Sequence, residues 1–330
     1  MSRELMNLIR LHICFLVLLF QIFSVDLQSK NTDQVLSFKS KFNKISLFFE
    51  NAHVGVRDSI VRGFKQLHVP YTINPKKIED IGDIVFCLDN VTLLERAIDL
   101  KKKGIVKKII VGPNILARTY MSNHILSHPA IDYYLTPSEW NMIACIEDEP
   151  PLKKTIRIWP AGIDAEYWKP AHCLHNTNKA VMIYWKNESY SFIEKVQDML
   201  IDHGWHPVLI KYGNYSHQQY KDVLHTVKFA VFISQSESQG LALAECWSMN
   251  IPTLVWDPKK LFYLGKNYDP VTACPYLTDQ TGKRWKEFHE LEYLLKNIES
   301  YFPQFRPREW ILNNMSDEVS INLLLEIINE

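Results

Sequence analysis

Two carboxylates, Glu237 and Glu245, stand eight positions apart around a single glycine, Gly240. Residues 228–234 before them are a short apolar run rich in β-formers, which reads as a strand buried on both faces of a parallel sheet. Residues 241–249 after the glycine are rich in helix formers. The segment is therefore strand, tight loop, helix, with Gly240 at the helix start. That unit commits the chain to α/β architecture, in which ligands bind outside the carboxyl ends of the strands. Backbone amides at a helix N-terminus form an anion site, and a glycine lets a phosphate or sugar approach closely. A carboxylate facing vicinal hydroxyls accepts two hydrogen bonds, which suits a ribose diol or a hexose. The plainer reading is a strand-loop-helix whose acids are structural, with Glu237 favoured only by the helix dipole.

The rest of the chain alternates in the same way. Strands are expected at 45–49, 83–88, 108–111, 133–136 and 156–159, with helices at 56–67, 91–103 and 137–145 between them. After residue 160, strands are expected at 180–185, 206–212 and 253–256, and helices at 191–203, 216–226, 285–300 and 316–329. Strands alternating with helices imply right-handed βαβ units and parallel sheets. A length of 330 residues suits about two domains of ordinary size.

The run Ser236-Glu237-Ser238-Gln239-Gly240-Leu241-Ala242-Leu243-Ala244-Glu245 resembles the E-x7-E signature of retaining glycosyltransferases with the GT-B fold. Trp159-Pro160-Ala161-Gly162-Ile163-Asp164 looks like the crossover by which that family enters its second domain, and residues 302–320 resemble its closing helix. The resemblance covers roughly residues 45–330. It implies two Rossmann-like domains facing across a cleft, an acceptor domain at 45–160 and a nucleotide-sugar domain at 161–330. The last helix is expected to pack back on the first domain.

The resemblance also implies roles. Glu237 would lie beside the donor sugar as the catalytic position, and Glu245 would hold the ribose hydroxyls. Amides around Gln239, Gly240 and Leu241 would face sugar and phosphates. Such enzymes usually place an Arg and, five positions on, a Lys against the pyrophosphate. Here Lys186 occupies the first place and Ser191 the second, so Lys211 is the candidate to compensate as a point charge. In the first β/α loop, Gly55 stands where a doubled glycine is usual. His53 and Asn114 are candidates for the acceptor side or the cleft.

The implied reaction is transfer of a hexosyl group from a nucleotide sugar to a sugar or lipid-linked hydroxyl, with retention. No cofactor is expected, and no metal, since the chain has neither a D-x-D tract nor a His/Cys cluster with ligand spacing. The alternative is a non-catalytic GT-B-like partner or carbohydrate-binding subunit, which the missing second base favours. A nucleotide-sugar epimerase or phosphorylase on the same fold also stays open. A formal net charge of zero gives no basic field to recommend nucleic acid.

Residues 1–25 carry Arg3 and Arg10 ahead of an apolar run, an expected signal peptide or signal-anchor, followed by a linker at 26–44. The six cysteines form no C-x-x-C and read as free thiols. The expectation is membrane association with the catalytic part in the cytosol. The alternative is the secretory-pathway lumen after cleavage, where the four N-x-S/T sequons at Asn90, Asn187, Asn214 and Asn314 would matter.

Overall fold

A computed structural model describes residues 33–113, 115–116, 118–170, 179–263 and 265–330. The expected signal segment at 1–25 and the candidate Asn114 lie outside the described residues. Among the described residues no helix is long and apolar enough to cross a membrane. Residues 33–41 fall in the expected linker, yet they form a helix, α1. Its Phe38 is fully buried, because the face carrying it packs into the first core.

The first half holds β1 (Ile45–Phe48), α2 (Val54–Gln66), β2 (Tyr71–Ile73), β3 (Ile84–Cys87), α3 (Val91–Lys102) and β4 (Lys108–Val111). The single turn α4 (Met121–His124), β5 (Tyr133–Thr136), α5 (Glu139–Asp148) and β6 (Ile156–Ile158) follow. The six strands form one parallel sheet in the order β2-β1-β3-β4-β5-β6.

The second half holds β7 (Ala180–Trp185), α6 (Tyr190–Asp202), β8 (His206–Lys211), α7 (His217–Leu224), β9 (Phe229–Ile233) and α8 (Leu241–Ser248). Then come β10 (Thr253–Trp256), β11 (Leu261–Tyr263), β12 (Lys266–Tyr268), β13 (Gly282–Trp285), α9 (Phe288–Tyr301), α10 (Pro307–Asn314) and α11 (Asp317–Asn329). Its parallel sheet runs β13-β10-β9-β7-β8, while β11 and β12 form a separate antiparallel hairpin.

Alternation along each strand fills both faces of both sheets. Ile45, Leu47, Ile84, Phe86 and Ile110 join α2 and α11 in one core. Val85, Cys87, Ile109 and Val111 join α3 in another. In the second sheet Met182 and Tyr184 pack under α7 and α8, while Val181 and Ile183 pack under α6 and α9.

The crossover between the halves is fastened from two sides. Trp159 donates from Nε1 to the Ser320 carbonyl (2.9 Å), and the Ser320 hydroxyl donates to Pro160 O (2.7 Å). Helix α11 is the last element of the chain and packs on α2 in the first half. A Cβ on Gly162 would stand 2.5 Å from the Asp317 Cα, so this crossing needs a glycine. From the other side, the buried Gln239 amide accepts from Ala161 N–H (3.0 Å) and donates to Ala161 O (2.6 Å). Gln239→Leu leaves both Ala161 groups unpaired. It is expected to cost about 1–3 kcal/mol per orphaned group, read as a lower denaturant midpoint.

Candidate functional site

Helices α2 and α8 open on the same space. Their N-terminal ends and the loops before them contribute Asn51, Ala52, His53, Val54, Gly55 and Val56 from the first half, and Gln239, Gly240, Leu241, Ala242 and Glu245 from the second. Between them lies a cavity of about 630 Å³, walled further by Tyr184, Lys186, Tyr212, Tyr215, His217 and Glu237. The chain folds this way locally because β1 and β9 each lead through a short loop, residues 49–53 and 234–240, into a helix. Gly240 adopts φ +83°, a left-handed conformation that suits glycine, at the point where the second loop enters α8.

Neither helix start is capped by a side chain, and neither carries an acid in its first turn. Their leading N–H groups therefore present partial positive charge to the cavity with no competing carboxylate from their own turn. The two starts also come close together, since a Cβ on Gly55 would sit 3.1 Å from Leu241 Cδ1. Gly55 and Leu241 are thus both in the cavity wall, and a larger residue at 55 would crowd the gap.

Lys186, just past β7, reaches Glu237 with Nζ at 2.9 Å and 3.0 Å from the two carboxylate oxygens. Glu237 is fixed at the backbone too: its carbonyl accepts from Trp140 Nε1 (2.9 Å), and its N–H donates to Thr272 O (3.1 Å). Lys186 also lies 4.8 Å from the Tyr212 ring centroid. The Tyr184 and Tyr215 hydroxyls are 3.2 Å apart. Burial holds the Tyr184 phenol above its ordinary value and pushes Tyr215 up to about 12, so both stay protonated at neutral pH. Burial first, then the facing His217 and Lys186, hold the His53 imidazole below its ordinary value.

Glu245 lies on α8 where the main cavity meets a smaller one of about 210 Å³, lined also by Arg62, Asp164, Tyr167 and His217. Arg62 is committed to Asp317, with Nε 2.6 Å from Oδ2, and comes within 3.5 Å of Asp164. The Glu245 side chain has no hydrogen-bond partner among the described residues. Burial pushes its carboxyl up to about 8 against the opposing pull of Arg62. A carboxyl raised in the folded state keeps its proton after the unfolded chain has lost it. Its contribution to stability therefore falls as pH rises from about 4.5 through about 8. Glu245→Gln is expected to flatten this part of the melting-temperature profile of the ligand-free protein.

Most of the residues singled out in the sequence meet here: Glu237, Glu245, Lys186, Gly240, Leu241, Gly55, His53 and Gln239. Gln239 lines the cavity, and its side-chain amide also clamps Ala161. One departure is a correction. Lys211 does not line the cavity; it pairs in register with Trp185 and lies 4.4 Å from that ring's centroid. Alternation along β8 sends it to that side. Ser191 sits in the first turn of α6, exposed, and leaves that position uncharged.

Sequence reasoning missed the tyrosines and His217. Tyr184 follows Ile183 in an apolar strand and reads as core, while Tyr212, Tyr215 and His217 sit around the end of β8. Their signal was positional only, a strand end facing the same edge as the glutamate loop.

Among solved structures, the chain is similar to the lipopolysaccharide outer core galactosyltransferase WaaB, with a TM-score of 0.56 and 15% identity over 87% of this chain and 99% of that one. It is similar also to a sucrose-phosphate synthase from Thermosynechococcus elongatus, with 0.54 and 10% over 87% and 98%. The catalytic domain of starch synthase IV from Arabidopsis thaliana, bound to ADP and acarbose, gives 0.50 and 11% over 75% and 72%. No protein-family model matches the chain, and no curated protein matches it in sequence. At these identities the likeness is one of fold: two Rossmann-like domains in the GT-B arrangement.

Proposed function

We propose that the protein is a glycosyltransferase that moves a hexosyl group from a nucleotide sugar to a sugar or lipid-linked hydroxyl, with retention and without a metal. The observation that carries this reading is the convergence of two uncapped helix N-termini, one from each domain, on one cavity. Such ends favour an anion, and a diphosphate between them would take N–H donors from α8 with Lys186 beside it. The Glu245 side chain lines the same cavity, has no partner among the described residues and is free to accept from a ribose diol.

In the proposed reaction the acceptor oxygen bonds to the anomeric carbon as the sugar–phosphate bond breaks. The nucleoside diphosphate leaves, and its departing oxygen takes the acceptor proton. The leaving charge falls on the α8 amides and Lys186, groups fixed before the reaction starts. Glu237 then positions Lys186 and the sugar and does not act as one of an acid/base pair. Among the described residues no three His, Cys, Asp or Glu side chains cluster as a metal set.

One observation favours a second reading, a non-catalytic GT-B-like partner or sugar-binding subunit. Lys186 is the one Lys or Arg among the described residues lining the main cavity, and Glu237 already neutralises it. Release of nucleoside diphosphate from a panel of nucleotide sugars separates the two. Release supports the transferase; nucleotide binding with no release under any acceptor supports the subunit.

A further inference from the structure

The cleft lies at the carboxyl ends of the first sheet, since Ala52, Pro113 and Pro137 of its lining follow β1, β4 and β5. The opposite edge, at the amino ends, gathers cations from four segments. Lys101 and Lys102 close α3, and Lys103 follows them. Lys107 and Lys108 lead into β4, Lys44 stands just before β1, and Lys153 and Lys154 precede β6. Helix α1 adds Lys39 and Lys41. Contacts draw these segments together. Lys41 Nζ donates to Asn329 O (3.2 Å) and Lys108 Nζ to Ile328 O (2.7 Å), so both sit against the last turn of α11. A Cβ on Gly82 would fall 2.2 Å from Lys44 O, which sets the starts of β1 and β3 side by side. Arg157 donates from Nη1 to Lys154 O (3.3 Å) and from Nη2 to Glu330 (2.8 Å).

Three acids on this edge each face a cation: Asp83 meets Lys107 at 3.4 Å, Asp132 meets Lys101, and Glu330 meets Arg157. Exposed Asp99 and Glu326 add two negative charges, against exposed Lys39, Lys102, Lys103, Lys153 and Lys154. The edge is therefore positive, although the whole chain has a formal net charge of zero. Helix C-termini favour cations, which accounts for Lys41, Lys101 and Lys102, but Lys44, Lys107 and Lys153 lie outside α1 and α3. A one-signed edge on a neutral chain marks the side on which an anionic partner approaches.

Helix α1 indicates which anion. It is the first described element, and its Gln34 side chain accepts from Asn329 Nδ2 (3.2 Å) on this same edge. Residues 26–32 alone separate it from the expected signal or anchor segment at 1–25. A stretch of that length spans at most about 25 Å, so a bilayer held by that segment lies beside this edge. Lysines next to a membrane-held segment attract anionic headgroups, each strengthening binding by roughly fivefold. We propose that the amino edge of the first sheet docks on an anionic phospholipid bilayer, with Lys102, Lys103, Lys153 and Lys154 against the headgroups. Docked so, the first domain keeps its half of the cleft on the side away from lipid. The docking does not depend on the transferase reading.

The test is flotation of the full chain with vesicles of phosphatidylcholine alone and of phosphatidylcholine mixed with phosphatidylglycerol. Binding to the neutral vesicles reads the apolar run near the N-terminus; the excess on the anionic vesicles reads the lysines. An excess of roughly tenfold or more is expected, and high salt should remove it. Lys102→Gln/Lys103→Gln/Lys153→Gln/Lys154→Gln should bring binding down to the neutral level. The four side chains are exposed, so this variant should melt with the wild type, which keeps lost docking distinct from misfolding. A second readout needs no variant. Acetylation of the wild type on anionic vesicles, followed by mass spectrometry, should spare these four lysines and leave Lys169 and Lys296 of the second domain reactive. Equal binding to both vesicle types, an excess that survives the substitutions, or four lysines that stay reactive on the vesicles overturns the proposal. Capture of RNA through the same lysines without a vesicle excess overturns it in favour of a nucleic-acid partner.

Discussion

Lys186→Ala is expected to lower nucleotide-sugar turnover by roughly 10²–10³-fold, the usual cost of removing one fixed donor from a developing oxyanion. The lysine lies at the end of β7, and the cavity has no other Lys or Arg among its described lining residues. Nothing nearby replaces it, because Lys211 is held against Trp185 and Ser191 is uncharged. Removal also strands Glu237, now a carboxylate facing the leaving phosphate. Part of the loss would then be new repulsion and not lost attraction. A double-mutant cycle with Glu237→Gln separates the two, since contacting residues do not add. If repulsion dominates, Lys186→Ala/Glu237→Gln recovers much of the rate. Should Lys186 stabilise the leaving group directly, the double variant stays as slow as Lys186→Ala. Turnover unchanged in Lys186→Ala would remove this lysine from the reaction.

Glu245→Ala is expected to weaken nucleotide binding by roughly 10²-fold. Two hydroxyl donors on a charged acceptor are involved, and hydrogen bonds to charged groups are worth about 1.5–3 kcal/mol each. The effect should carry a pH signature. In the empty protein the carboxyl holds its proton up to about 8. Ribose hydroxyls donating to it favour the ionised form, so binding releases that proton. Wild-type affinity relative to Glu245→Gln should therefore rise as pH increases through about 8. Isothermal titration at several pH values in buffers of different ionisation heat reads both affinity and proton release. A pH-independent ratio between wild type and Glu245→Gln would show that the ligand does not touch this carboxyl.

Much of the fold was legible because its strands are buried on both faces. Residues 108–111, 133–136, 180–185 and 253–256 are apolar runs, and each became a strand with those bounds. The strands that were not read are the ones that break this rule. β2 is three residues, half-exposed, between Pro70 and Pro75. In β13, Gly-Lys-Arg-Trp looks like a turn, yet Gly282 pairs with Thr253 so closely that a Cβ would fall 2.0 Å from its carbonyl oxygen. The glycine marks tight strand packing, which sequence alone cannot tell from a turn. The β11–β12 hairpin carries exposed Phe262 and Tyr263 and packs on the other domain through Lys266, a long-range contact with no local signature.

The candidate site divides along the same line. Glu237, Gly240 and Glu245 were readable because one strand-loop-helix holds all three. Their partners come from distant segments: Lys186 lies 51 residues from Glu237, and Ala161 lies 78 from Gln239. Lys211 shows the limit of counting charges along a chain. It stands near the right strand end, but strand alternation and the Trp185 ring turn it away.

The most direct measurement is thermal unfolding of the full chain with a panel of nucleoside diphosphates and nucleotide sugars, beside Glu245→Ala. A ligand that binds only the folded state raises the apparent melting temperature by mass action. The expected result is a rise with one nucleotide class that grows with ligand concentration and is lost in Glu245→Ala. No rise with any member of the panel would contradict a donor site between α2 and α8 and, with it, the transferase.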